Sequence, residues 1–137
     1  MSDSRQGAKL RATAAQIIDA VTTSGRSLDK ALGDFETRVA ESDRSLLRLL
    51  CYGTLRHHWQ LQYWVDTLLS RPLRARDSTV NALIATGIYQ LKQTRIPDYA
   101  VVSQTVEAAR FLRRPKLAPV VNAVLRRFLR DRIAELA

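Results

Sequence analysis

Apolar residues recur along this chain at intervals of three and four, and no sustained segment alternates apolar with polar; that period belongs to helices and excludes a sheet. It is clearest after Pro115. There Leu117, Val120, Val121, Val124, Leu125, Phe128, Leu129 and Leu136 form one stripe, with Arg126, Arg127, Arg130 and Arg132 on the remaining faces. Leu10, Ala14, Ile17, Ile18 and Val21 give a first helix between Lys9 and Ser24, closed near Gly25. Ser27 is placed to cap a second helix running through Leu28, Ala31, Leu32, Phe35 and Val39, with Gly33 weakening its interior. The leucine-rich stretch from Asp43 to Ser70 has no proline, and reads as one kinked helix or two in succession, ended by Pro72.

The linker Arg71 to Asp77, RPLRARD, leads to Ser78 as a cap and to a helix carrying Val80, Leu83, Ile84, Gly87, Ile88 and Leu91 on one face. Gly87 sits where another helix can come close. Pro97 separates it from a helix over about Ala100 to Leu112, and Pro115 introduces the last. An all-α bundle of six or seven helices is the expectation, with residues 1–137 as one domain.

A chain of 137 residues supports one hydrophobic core without staples. Its 22 Lys and Arg against 13 Asp and Glu leave +9, which favours polyanionic partners. Cys51 is the single cysteine, so neither an intramolecular disulfide nor a multi-cysteine metal site can form. The polar opening Met1 to Gly7 is unlike a signal peptide, and no apolar run is long enough to span a bilayer. These features suit a cytoplasmic protein without a membrane partner.

Four segments carry more identity than a helical period requires: CYGTLRHHWQL from Cys51 to Leu61, GIYQLKQTRIP from Gly87 to Pro97, TVEAAR from Thr105 to Arg110, and VNAVLRRFLR from Val121 to Arg130. Together they resemble the NusB family, over about Lys9 to Arg130. They resemble most the NusB-like amino-terminal domain of the Sun/Fmu (RsmB) family, enzymes that methylate carbon 5 of a cytosine in 16S ribosomal RNA. TRIPDYAVVSQTVEAAR and the continuation VNAVLRRFLRDRIAEL separate it from the free-standing antitermination factor, which usually carries VNG followed by VLDK-like residues. The resemblance implies two packed helical subbundles, small-subunit ribosomal RNA as partner, and S-adenosylmethionine bound by a catalytic domain lying carboxy-terminal to these residues. A free-standing factor acting with ribosomal protein NusE is the regulatory alternative. A structural module that docks on its own catalytic domain, without touching RNA, is another.

No catalytic site is expected in the chain itself. Methylation at carbon 5 needs a thiolate to attack carbon 6. The family takes it from Pro-Cys and Thr-Cys motifs, whereas Cys51 lies between Leu50 and Tyr52 in a leucine-rich helix suited to a buried, inert thiol. The five glycines are scattered at 7, 25, 33, 53 and 87, so no glycine-rich cofactor turn is present. The adjacent histidines 57 and 58 point about 100° apart on a helix and do not make a metal pair.

Candidate RNA contacts fall in three places. Arg5, Lys9 and Arg11 open the first helix, where the NusB family uses an arginine-rich terminus and where the helix dipole disfavours cations. Arg56, beside His57, His58 and Trp59, combines donors with stacking surface. Arg126, Arg127 and Arg130 belong to the stretch from Arg110 to Ala137, where eight cations face only Asp131 and Glu135; it reads equally as a phosphate-tracking surface, a docking face or a solvated helix face. Trp59, Trp64, Tyr52, Tyr63, Tyr89 and Tyr99 are expected in the core or at a domain interface. Asn122 is expected to bond backbone freed near Pro97 or Pro115.

Overall fold

A computed structural model describes residues 2–136, with side chains over 4–132. Seven α-helices follow one another: α1 (Ser2–Thr22), α2 (Leu28–Phe35), α3 (Arg44–Arg56), α4 (His58–Leu68), α5 (Ser78–Gln93), α6 (Asp98–Phe111) and α7 (Ala118–Leu136), with no strand among the described residues. None of these helices is long and apolar enough to cross a membrane.

Local chemistry sets most boundaries. Gly25 takes the left-handed conformation (φ 70°) after α1, and Ser27 then caps α2 by accepting a hydrogen bond from the Lys30 amide at 3.2 Å. The second helix stops at Phe35, short of Val39. Glu36–Arg38 tightens into a 3₁₀ turn because its side chains are engaged elsewhere: Arg38 lies over the Phe35 ring and Glu36 accepts from Arg48 of α3 at 2.8 Å. Asp43 to Ser70 resolves into two helices, broken at His57 (φ −105°, ψ 24°). Ser78 is not a cap but the first residue of α5. Asp77 holds the cap position without a capping bond, since its carboxylate is taken by Arg114.

Helix α5 is the axis of the molecule, with Val80 and every residue from Ala82 to Leu91 buried. Helices α2 and α3 close over α1, while α4, α6 and α7 close over α5; α1 also runs along α5 and α6, so both groups share one core. Gly87 marks a close approach of helices. A Cβ there would stand 2.9 Å from Leu125 of α7 and 3.2 Å from Thr105 of α6, so the missing side chain lets three helices converge. Phe128 is fully buried from α7 and meets Trp64 edge to face at 5.1 Å. Such a ring contributes about 1.5–3 kcal/mol by burial, with a smaller gain from the aromatic pair.

Candidate nucleic-acid interface

Two loops far apart in sequence meet at one corner. The α4–α5 connection brings Arg76 and Asp77; the α6–α7 connection brings Arg113, Arg114 and Lys116. Helix α6 ends in a paired closure in which the Arg113 amide bonds the Arg110 carbonyl at 3.0 Å and the Arg114 amide bonds the Ala109 carbonyl at 2.9 Å. That closure needs a left-handed residue, and glycine usually supplies it. Here Arg113 does so, with φ 59°, at about 1–2 kcal/mol of backbone strain. The reversal throws Arg113, Arg114 and Lys116 outward around a cavity of about 450 Å³ that Arg76 and Asp77 complete. Arg114 Nε donates to Asp77 Oδ1 at 2.8 Å, so the one carboxylate lining the cavity is already engaged by one of its four cations. The rest face solvent, an arrangement that attracts phosphate.

The residues singled out from sequence are dispersed. Arg5 and Lys9 are exposed one turn apart on α1. Arg11 corrects the expectation. It is 2% exposed, with Nε donating to Gln90 Oε1 at 2.9 Å and Nη1 to Gln104 Oε1 at 2.6 Å and the Gly7 carbonyl at 3.1 Å, so its guanidinium is spent inside the bundle and offers nothing to RNA. Desolvation pushes its pKa down to about 10. Arg56 is exposed at the end of α3. On α7 the cations divide by task. Arg126 donates to Asn122 Oδ1 at 3.0 Å and stays exposed, and Arg130 is exposed with no ion pair among the described residues. Arg127 donates to the Leu68 carbonyl at 3.3 Å and lies 3.9 Å from Asp131, while Arg132 clamps the Leu91 carbonyl and Asp98. Asn122 thus serves Arg126 rather than backbone near a proline.

The aromatic residues also depart from expectation. Trp59, Tyr52, Tyr63 and Tyr99 are all more than half exposed. Leu61, Val65 and Leu68 take the core positions of the short α4, which leaves Trp59 and Tyr63, four residues apart, on its outer face. Only Tyr89 is buried among the tyrosines, and Trp64 is half-buried. Cys51 is fully buried, as expected, and burial pushes its thiol up to about 12. Among the described residues no three His, Cys, Asp or Glu side chains gather as a metal site would require.

Arg113, Arg114 and Lys116 were visible in sequence as part of a basic stretch, but Arg76 was read as part of an exposed linker. A shared signal did exist: both basic runs fall in connections between helices, where charged side chains are free to converge.

A family model, described as the NusB family, matches residues 8–130. The chain belongs to the NusB family. That match takes in the corner and Lys9 but not Arg5. Two curated relatives share the name ribosomal RNA small subunit methyltransferase B. The protein from Citrobacter koseri is 42% identical over 128 residues, 93% of this chain and 30% of the relative. That from Klebsiella pneumoniae subsp. pneumoniae is 41% identical over 133 residues, 97% of this chain and 31% of the relative. This NusB-family chain therefore spans about three tenths of the length of the relatives it matches.

Proposed function

We propose that this chain is the RNA-binding, substrate-positioning domain, residues 1–137, of a larger enzyme that methylates carbon 5 of a cytosine in small-subunit ribosomal RNA. The observation that carries the RNA reading is the corner where Arg76, Arg113, Arg114 and Lys116 surround a cavity with a single, already paired carboxylate. The relatives' name supplies the class of reaction and substrate. Methyl transfer to carbon 5 needs a thiolate, and Cys51, buried with its pKa pushed up to about 12, is held as the neutral thiol. The nucleophile and the S-adenosylmethionine site accordingly belong to a carboxy-terminal catalytic domain. No strand-to-helix turn able to cradle that cofactor occurs among the described residues.

The domain's contribution is positional. Holding ribosomal RNA through a second, tethered contact makes engagement of the target by the catalytic domain intramolecular and raises its effective concentration. The test is a fluorescence-anisotropy titration of this chain with single-stranded small-subunit ribosomal RNA at several salt concentrations. Affinity falls steeply with salt, and replacing Arg76 and Lys116 together by Ala flattens the log–log slope by about 0.7 per lost phosphate contact. Binding that ignores salt and both substitutions sinks the reading and leaves a module that docks on protein.

A further inference from the structure

A second site lies at the other end of α5. Leu49, Tyr52 and Arg56 share the outer face of α3, and across from them Tyr89 and Gln93 of α5 complete a groove of about 740 Å³ floored by Gly53. Gly53 is needed there, because a Cβ would stand 2.0 Å from Tyr89 Cζ. The Tyr89 ring is thereby drawn under α3, with the His57 ring 6.2 Å away at 26°. Tyr89 is only 7% exposed, yet it lines the groove. Tyr52 is half exposed at the rim.

The charge around the groove has one sign. Its lining contains Arg56 and no carboxylate, and the chain from Arg44 to Val65 contains none either. Glu36, which reaches α3, is occupied by Arg48. Exposed aromatic surface, an arginine, an amide and a tyrosine hydroxyl together match an unpaired nucleotide: a planar base to stack, an edge to bond and a phosphate to neutralise. An acid-free rim favours a polyanion over a protein face.

We infer that this groove is a base-stacking subsite for single-stranded RNA, with an unpaired base on Tyr52, its edge toward Gln93 and the Tyr89 hydroxyl, and the adjoining phosphate on Arg56. The inference rests on the RNA-binding reading above and adds to the charged corner a contact roughly 18 Å away along α5. A strand touching both is held in one register.

The test uses this chain and a single-stranded RNA oligomer carrying 2-aminopurine, whose fluorescence is quenched on stacking. Quenching is expected on binding, lost in Tyr52→Ala with affinity roughly tenfold weaker, and retained in Tyr52→Phe. Arg56→Ala is expected to weaken binding and lower the salt slope while keeping the quenching. The Arg76→Ala/Lys116→Ala variant separates the two ideas. If it loses affinity while Tyr52→Ala binds and quenches like the parent, the corner stands and the stacking subsite is overturned, leaving the groove to a protein partner. If the parent chain binds no RNA at all, both fall. Circular dichroism confirms that each variant keeps its helices.

Discussion

Arg11 and Gln90, 79 residues apart in sequence, are joined inside the bundle by a 2.9 Å hydrogen bond from Nε to Oε1. A buried guanidinium is thus held by neutral amides, Gln90 and Gln104, rather than by a carboxylate. Removing one leaves part of a buried charge unsatisfied, so Gln90→Leu should lower stability by about 2 kcal/mol in urea denaturation. Gln90→Glu should raise stability at neutral pH. A carboxylate beside this cation has a depressed folded pKa, so the gain is present above about pH 4.3 and lost as pH falls further. Equal stability of both variants at pH 7 would mean that Arg11 does not depend on this partner. Because Arg11 is structural, tests of the α1 cations belong to Arg5 and Lys9 alone.

Gly53 and Gly33 both sit in helices and should respond oppositely to alanine. At Gly33 an added methyl meets nothing within 4 Å, so Gly33→Ala should gain about 0.5–1 kcal/mol from helix propensity. At Gly53 the methyl collides with the buried Tyr89 ring, and that overpacking, about 1–3 kcal/mol, should outweigh the same gain. Thermal melts of the two variants would decide it, and two upward shifts would refute the packing argument.

The Cys51 thiol, raised by burial to about 12, makes a prediction at alkaline pH. The folded pKa lies above the ordinary value of 9.0, so the unfolded chain releases the proton first. Stability is full below about pH 9 and falls as pH rises toward 12, by up to about 1.4 kcal/mol per pH unit. Arg11, lowered to about 10, begins to titrate at the top of this range and acts in the opposite direction, so the thiol is read from the difference between the parent and Cys51→Ala. Denaturant midpoints between pH 8 and 10 should fall more steeply for the parent than for Cys51→Ala; parallel curves would show the thiol uninvolved.

Arg113 couples strain to charge. Arg113→Gly should relieve the left-handed strain and raise stability by about 1 kcal/mol, while RNA affinity drops through loss of one cation at the corner. Measuring the denaturation midpoint and the RNA titration on the same variant separates the two effects. A fall in stability would show that the Arg113 side chain holds the loop rather than a ligand.

Helix period, the proline boundaries, the cap at Ser27 and the close approach at Gly87 were all legible in sequence because each depends on residues within a turn or two. The end of α2, the role of Ser78 and the exposure of Trp59, Tyr52, Tyr63 and Tyr99 were not. Each turns on a partner distant in the chain: Arg48 for Glu36, Arg114 for Asp77, and for the aromatics the choice of which faces of α3, α4 and α6 the rest of the bundle covers.

By itself, the sequence determined an all-helical chain with a basic surplus, an inert cysteine and the motifs of the NusB family. Those properties are carried by residue type and short-range spacing, which survive without knowledge of neighbours. Tertiary structure alone decided which cations are available. Packing α1 against α5 and α6 buried Arg11, while the meeting of two loops set Arg76 beside Arg113 and Lys116. A charge acts through distance and dielectric, and both are fixed only when the chain has folded.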